Sequence, residues 1–198
     1  YGNAETMVKL TEMIAKGEGF GKILAEGSRK AAEIIGRGTE DYLITCKGQE
    51  APAHMPQVKR SLGVIYAANP FGADHESSEH DPSYKAFPER MKYIGLTNPQ
   101  EKLALNEEMM RFAMVTQHLY SAIDSLSVCA FIFGPAWQLY GADKLVEVVN
   151  AVTGWDVDIQ EILEVGERRL NMLRAFNSRE GIGRESDTLP KKMFKRPL

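Results

Sequence analysis

The sequence predicts an all-α, multihelical fold, and two observations carry that prediction. Apolar residues recur at three- and four-residue spacing in five stretches of the 198-residue chain, as they do along the buried face of an amphipathic helix. Strand-like alternation is confined to one short run, residues 42–47. We therefore expect at least half of the chain to be helical and its sheet content to be negligible.

The N-terminal part opens with a predicted helical hairpin. Apolar residues between Met7 and Ile14 share one helical face, a Gly-Glu-Gly break follows at residues 17–19, and a second apolar run stops at Gly36. Residues 42–47 are the best strand candidate, because alternate side chains would face opposite sides.

Prolines punctuate the next region, between residues 52 and 88, where only residues 61–68 predict two helical turns. Asn98 and Pro99 then predict a helix start, because asparagine is a good cap and proline fits the first turn. The apolar face that follows continues for more than twenty residues. It predicts the longest helix of the central region.

Two more helices are predicted, at residues 142–152 and 158–176, and the Lys- and Pro-rich C-terminal tail should lie on the surface. We expect two small helical lobes. The first comprises residues 1–95 and the second residues 96–198, which include the tail.

The composition is typical of a globular chain without a strong charge bias. Lys and Arg number 24 and Asp and Glu number 27, for a net charge of -3, and the basic residues form no nucleic-acid-binding stripe. No run of about 18 apolar residues predicts a membrane span, and Tyr1 does not open a signal peptide. Two cysteines do not suggest a disulfide scaffold and favour a reducing cytoplasm.

A bend at residues 124–129, directly after the long central helix, presents the first candidate site. Asp124 is followed five residues later by Cys129, whose thiolate would suit a soft metal or an iron–sulfur cluster. Two plainer interpretations remain open. Asp124 could cap the turn, and a cysteine among apolar neighbours is more often a buried, inert thiol.

A loop at residues 69–82 presents the second candidate site. Its residues 74–81 comprise two histidines, His75 and His80, two aspartates, two glutamates and two serines. The spacing excludes the zinc protease motifs, because Glu79 stands where His-Glu-x-x-His needs its second histidine and Glu76 breaks His-x-x-Glu-His. Without further information, a solvated surface loop is the plainer interpretation.

The remaining histidines and the arginines of the last helix are interpreted as structural or surface residues without a functional role. His54 and His118 have no partner nearby in the sequence and are interpreted as surface or packing residues. Arg168, Arg169 and Arg174 are interpreted as part of the charged face of the last helix.

Several short blocks occur in an order that resembles the C-terminal part of the aldehyde:ferredoxin oxidoreductase family, enzymes that carry tungsten on a pterin. The family's C-terminal region consists of two all-α domains, in agreement with the fold predicted here. The blocks are residues 2–5, 18–27, 124–129, 153–156, 165–169, 176–181 and 187–190.

The resemblance implies roles for four residues. In the family the bend reads Asp-x-x-Gly-Leu-Cys, so Asp124 and Val128 would neighbour a pterin and Cys129 would be the last of four ligands to a four-iron cluster. Ser127 replaces the glycine, which raises the question of a backbone angle that serine tolerates poorly. The family's histidine after a glycine-rich stretch corresponds to His75, a catalytic acid or base, with His80 as the alternative alignment.

The resemblance also implies a function for a longer protein. The parent would use a tungsten or molybdenum bis-pterin and a 4Fe-4S cluster to oxidise aldehydes, or a related acyl or acid substrate, with ferredoxin as acceptor. The family's Cys-x-x-Cys-x-x-x-Cys group and N-terminal half have no counterpart here, so we expect this fragment alone to be inactive and without cofactor. A homodimer is possible, and a cofactor-free helical binding or assembly module is the alternative.

Overall fold

A computed structural model describes residues 2–195, and this part of the chain is mostly helical. It contains ten α-helices and one antiparallel pair of two-residue strands, with 57% helix. The all-α prediction is confirmed. The elements are α1 (Ala4–Lys16), α2 (Phe20–Leu24), α3 (Ser28–Ile35), β1 (Thr45–Cys46), β2 (Gln49–Glu50), α4 (Arg60–Ala68), α5 (Asp81–Ala86), α6 (Pro88–Tyr93), α7 (Glu107–Ser125), α8 (Ala142–Thr153), α9 (Ile159–Arg179) and α10 (Lys191–Lys195).

The predicted N-terminal hairpin is present, with its second arm divided into α2 and α3. Asn3 caps α1, because its side chain accepts a hydrogen bond from the backbone amide of Thr6 at 2.9 Å. Gly17 ends α1 in the left-handed conformation, with a φ of 65°. Both ends of α1 are therefore set by local sequence.

The predicted strand at residues 42–47 is mostly wrong. Tyr42 ends a 3₁₀-helix that spans Thr39–Tyr42, and β1 contains only two residues, which pair with β2. The turn between β1 and β2 places Lys47 and Gly48 at φ values of 50° and 84°, as a tight hairpin requires. The short strand nevertheless buries Cys46.

Two helices that the sequence analysis missed lie among the prolines. Pro82 in α5 and Pro88 in α6 stand in the first turn, where the missing N–H of proline costs no helical hydrogen bond. These prolines start helices and do not interrupt them.

The sequence predicts that the central helix starts at Asn98, but α7 begins at Glu107. The side chain of Asn106 caps it, accepting a hydrogen bond from the amide of Met109 at 3.0 Å. Asn98 does not cap a helix. Its backbone amide instead donates a hydrogen bond to the Tyr84 hydroxyl at 3.2 Å. A tertiary contact therefore decides between two asparagines that carry the same signal.

The core is organised around α7. A larger hydrophobic cluster joins α7 to α5, α6, α8 and α9, and a smaller one joins it to β1 and α4. α7 and α9 cross at Gly166, where an added Cβ would lie 1.8 Å from the His118 carbonyl oxygen. The bare backbone of Gly166 therefore permits this close approach of the two helices.

The larger cluster draws on residues from both sides of residue 95, for example Met91 and Phe112. The division into lobes 1–95 and 96–198 therefore stays a prediction. Residues 196–198 of the predicted tail lie outside the described residues. Within residues 2–195, no helix is both long and apolar enough to cross a membrane.

Candidate functional site

The bend at residues 124–129 is a tight C-terminal cap on α7. The Val128 amide donates to the Ile123 carbonyl at 3.2 Å, and the Ser127 amide donates to the Asp124 carbonyl at 3.1 Å. These two bonds form a Schellman motif, which needs a left-handed residue at its fifth position. Ser127 occupies that position with a φ of 55°. The concern about its backbone angle is therefore confirmed.

The two cysteines lie in different environments. Cys46 is buried, and burial raises the pKa of its thiol. Cys129 is exposed at the last position of the bend, although its sequence neighbours are apolar. The interpretation of Cys129 as a buried thiol is therefore wrong.

The side chains of Asp124 and Val128 lie in different environments. The Asp124 carboxylate pairs with Arg169 at 3.2 Å, and its pKa is raised, by partial burial first and by Asp74 second, against the lowering effect of Arg169. Val128 is partly buried against the larger hydrophobic cluster. Asp124 thus presents a polar group at the surface while Val128 anchors the turn.

Two of the arginines assigned to a charged helix face hold other elements. Arg169 also approaches the Ser121 hydroxyl of α7 at 3.3 Å. Arg174 donates to both carboxylate oxygens of Asp187 at 2.9 and 2.7 Å, and to the Ala68 carbonyl at 2.9 Å. The simple surface interpretation of these two residues is wrong, because both are bonded across the fold.

The C-terminus of α4, which leads into the loop 69–82, is fastened by polar side chains from distant parts of the chain. Lys47 donates to the Ala67 carbonyl, and Asn177 donates to the Pro70 carbonyl at 2.6 Å. Cationic groups are favourable at a helix C-terminus, where carbonyls lack helical partners. These hydrogen bonds therefore hold the first residues of the loop in place.

The first part of the loop packs closely against the hairpin. At Gly72, whose φ is 95°, an added Cβ would lie 2.2 Å from the Cys46 carbonyl oxygen. The buried Asn69 side chain donates to the Gly72 carbonyl at 3.0 Å and to the Ser77 hydroxyl at 3.2 Å. Ser77 in turn donates to Asp74 at 2.6 Å. These bonds fix the backbone on both sides of His75.

The second part of the loop is anchored by buried carboxylates. Glu79 is 2% exposed and accepts hydrogen bonds from Ser83, Tyr120 and Gln138 at 2.9, 2.9 and 3.0 Å. Asp81 accepts from the Ser61 amide at 2.7 Å, at the N-terminus of α4. The interpretation of residues 69–82 as a solvated surface loop is wrong.

Three histidine rings cluster beside this loop. The ring centroid of His54 lies 4.7 Å from that of His75 and 4.5 Å from that of His80. Lys59 lies between two of them, with its Nζ 2.8 Å from His54 Nδ1 and 3.0 Å from His80 Nδ1. No spacing pattern in the sequence points to His54 or Lys59, because the chain before α4 brings them to the loop only in the folded state.

His75 and His80 differ in how their rings are engaged. His80 uses Nδ1 toward Lys59 and Nε2 toward the His75 carbonyl oxygen, at 3.2 Å. His75 Nε2 lies 3.0 Å from the Glu76 carboxylate, and a third of the His75 side chain is exposed. His118 lies elsewhere on α7, where burial lowers the pKa of its ring.

The bend and the loop meet in the folded chain. Ser77 and Asp124 line the same narrow crevice, together with Asn69, Gln117 and Arg169. The Gln117 side chain donates to Asn69 at 3.3 Å, which joins the crevice wall on α7 to the loop. Two candidate segments that are distant in sequence thus contribute to one surface.

The described residues do not form a complete metal site. Within residues 2–195, no group of three or more His, Cys, Asp or Glu side chains could hold a metal ion. Cys129 offers one accessible thiol, whereas a four-iron cluster needs about four. The ligand role of Cys129 therefore stays a prediction.

Comparisons with known proteins agree with this fold. The sequence profile of aldehyde ferredoxin oxidoreductase, domains 2 and 3, matches residues 1–198. A tungsten-containing aldehyde ferredoxin oxidoreductase of Pyrococcus abyssi is 35% identical over 200 residues, which cover 100% of this chain and 30% of that protein. The aliphatic sulfonate oxidoreductase, WOR-like subunit, of Pyrococcus furiosus is 28% identical over 181 residues, 88% of this chain and 24% of that protein.

One solved structure shows the same fold. The active site complex BamBC of benzoyl coenzyme A reductase, in complex with 1,5-dienoyl-CoA, matches with a TM-score of 0.74 and 20% identity, over 100% of this chain and 34% of that chain. The chain thus spans about a third of the length of the proteins it matches.

Proposed function

Since the chain belongs to the aldehyde ferredoxin oxidoreductase family, we propose that it is the C-terminal part of an oxidoreductase that uses a tungsten or molybdenum bis-pterin and a 4Fe-4S cluster. The parent enzyme would oxidise an aldehyde, or a related low-potential acyl or acid substrate, and pass electrons to ferredoxin. It would act in the cytoplasm, where thiols stay reduced, and a homodimer is a possible assembly.

The observation that carries this proposal is the exposure of Cys129 at the end of α7. Cys46, the other cysteine, is buried. An exposed thiol on a fixed turn is instead accessible to a cluster held by another segment. We assign Cys129 one ligand position, and the other three thiolates to a Cys-x-x-Cys-x-x-x-Cys group elsewhere in the parent polypeptide.

Asp124 and Val128 would contact the pterin beside this ligand. The Asp124 carboxylate is half exposed and held by Arg169, so it can accept hydrogen bonds from an incoming amine or ring N–H. Val128 fixes the turn through its contact with the core and would place its backbone beside the ring system. The Schellman bonds keep both residues in one orientation.

His75 is our candidate for the catalytic acid or base. Its ring is partly exposed, whereas both ring nitrogens of His80 are engaged, which supports His75 over His80. When bound, the metal pterin would supply the two-electron redox chemistry and the iron–sulfur cluster the one-electron path. His75 would hold a proton at Nε2, where Glu76 can stabilise the charged ring.

A cofactor-free helical binding or assembly module is the second candidate. Two observations favour it: Ser127 departs from the family's glycine, and the described residues contain one exposed thiol. The parent reading frame discriminates between the two. A Cys-x-x-Cys-x-x-x-Cys group upstream would favour the enzyme, and its absence would favour the module.

The first prediction separates the roles of Cys129 and His75 in the parent enzyme. Cys129→Ala should alter or abolish the iron–sulfur spectrum, because one thiolate ligand is lost. His75→Asn should leave iron and tungsten bound and lower turnover by about 100- to 10,000-fold, the usual contribution of an acid or base. Electron paramagnetic resonance, metal analysis and steady-state kinetics measure the three quantities.

Cys46→Ala is the matched control, because it removes the buried cysteine and should leave the spectrum unchanged. A normal cluster in the Cys129 variant would contradict its assignment. Full turnover of the His75 variant, with loss in a His80 variant, would move the catalytic role to His80.

For the 198-residue chain alone, elemental analysis should find no stoichiometric tungsten, molybdenum or iron, and several irons per chain would contradict this expectation.

A further inference from the structure

The hydrogen bonds of His80 determine its tautomer. A carbonyl oxygen can only accept a hydrogen bond, so the His80 Nε2 that lies 3.2 Å from the His75 carbonyl must carry the proton. Nδ1 of a neutral His80 ring is then an acceptor. Lys59 supplies the donor, because an ammonium group has three N–H donors and no acceptor, and its Nζ lies 3.0 Å away.

Lys59 also sets the tautomer of His54. Its Nδ1 lies 2.8 Å from Lys59 Nζ and must accept, so its proton is on Nε2. One ammonium group therefore bridges two imidazoles and keeps both neutral. Burial, first, and the Lys59 charge, second, lower the pKa of both His54 and His80, in agreement with this arrangement.

Both bridged rings touch His75, but at different places. The His54 ring lies against the His75 ring, with centroids 4.7 Å apart and planes inclined by 33°. The His80 ring holds the His75 carbonyl oxygen. The side chain and the backbone of His75 are thus each restrained by a ring that Lys59 holds.

We propose that Lys59 is a positioning residue for His75, holding the rings of His54 and His80 in the Nε2–H tautomer and thereby fixing the His75 ring and backbone. The proposal rests on the acid or base role of His75 in the proposed function. The charged groups around the cluster are Glu76 beside His75, and Glu79, Asp81 and Lys102 near Lys59. Burial lowers the pKa of Lys59, while the carboxylates Asp81 and Glu79 act against that shift and favour its charged form.

The tautomers can be measured directly, because the chain has four histidines and His118 provides an internal reference. Two-bond ¹H–¹⁵N correlation spectra of histidine-labelled chain should show His54 and His80 as neutral Nε2–H tautomers. In Lys59→Met, His54 Nδ1 loses its donor, so the His54 signature should change to a mixture of tautomers. The His80 ring, still bonded to the His75 carbonyl through Nε2, should show a shifted Nδ1 resonance, and the His75 resonances should shift as well. Lys59→Arg, which keeps several donors, should restore at least the His80 signature.

Lys102→Met is the matched control, because it removes an exposed lysine charge near Lys59 that contacts neither ring. It should leave all four ring signatures unchanged. The proposal is overturned if Lys59→Met leaves the His54 and His80 signatures as they are, or if Lys102→Met changes them equally. Circular dichroism of each variant shows whether the helices remain folded.

Kinetics of the parent enzyme test the link to His75. Lys59→Met should lower kcat by about 10- to 100-fold with a smaller change in KM, as misplacement of a catalytic group does. In a His75→Asn background the same substitution should add no further loss. Independent, additive losses would overturn the positioning role. Full turnover of His75→Asn would overturn the acid or base role of His75 in the proposed function, while the ring signatures would still decide whether Lys59 holds the His54 and His80 rings.

Discussion

Ser127 adopts a backbone conformation that serine disfavours. Gly17 occupies the equivalent position at the end of α1, with a φ of 65° and no Cβ to clash. Ser127 takes a φ of 55° with its Cβ present, which costs about 1 to 2 kcal/mol. The Schellman bonds and the packing of Val128 against the core offset this cost, so the turn forms despite its sequence.

The second prediction follows from this strain. Ser127→Gly should stabilise the chain by about 0.5 to 1 kcal/mol, because the relief of strain exceeds the extra entropy of glycine in the unfolded state. Thermal or urea unfolding measures the change. Ser127→Ala is the matched control, since it keeps the Cβ and should bring no gain. A glycine variant that is no more stable than wild type would argue against a left-handed Ser127.

At the scale of the elements, the contact between α7 and α9 decides how the bend is supported. Gly166 of α9 faces the His118 carbonyl of α7, and the Ser121 hydroxyl donates to the Gly166 carbonyl at 2.9 Å. From the same face of α9, Arg169 reaches Asp124. The position of α9 therefore sets the electrostatic environment of the candidate site.

The third prediction concerns this crossing. Gly166→Ala places a methyl group 1.8 Å from a backbone oxygen, so the two helices must separate. We expect a loss of about 2 to 3 kcal/mol in unfolding free energy, as for other overpacked contacts. Asn171→Ala, on the exposed side of α9, should change the stability by less than about 0.5 kcal/mol. Equal stabilities of the two variants in urea would contradict the close approach.

At the scale of the whole molecule, Asp187 connects three distant segments. Its carboxylate pairs with Arg174 of α9 at 2.7 Å and with Lys47 of the hairpin at 2.7 Å. Both cations also bind carbonyls at the end of α4, where the histidine loop departs. The C-terminal segment thus stabilises the base of this loop through one carboxylate.

The fourth prediction is the pH dependence of this clamp. Hydrogen bonds from Arg174, foremost, and from Lys47 lower the pKa of Asp187 from 3.8 to about 2. Because the folded-state pKa lies below the unfolded one, the stabilisation is complete above about pH 4 and is lost as the pH falls toward 2. It amounts to about 2 kcal/mol for such a shift.

The free energies of unfolding of the wild type and of Asp187→Asn, compared across pH, measure this stabilisation. The unfolding free energy of the wild type should be higher by about 2 kcal/mol at pH 7, and the difference should shrink below pH 4. Asp156→Asn, at an exposed site, should follow the wild-type curve at every pH. A difference between wild type and Asp187→Asn that stays constant from pH 7 to pH 2 would show that the ion pairs do not contribute.

The sequence predicted elements correctly where the signal is local. The predicted helices at residues 142–152 and 158–176 correspond to α8 and α9, because apolar periodicity and the Asp158 cap act within one element. The prediction failed where local signals compete, as at Asn98 and Asn106, or where prolines start helices in place of breaking them. A contact with Tyr84 decided the first case, and no local rule could rank the two asparagines.

For this protein, the sequence alone determined the helical class, the family and the candidate residues Asp124, Val128, Cys129 and His75, because each depends on a short pattern. Only the tertiary structure decided that Cys129 is exposed and that Lys59 bridges His54 and His80 beside His75. Exposure and hydrogen bonds between distant residues arise from the packing of elements. The spacing of residues along the sequence does not show which distant residues lie close together in the fold.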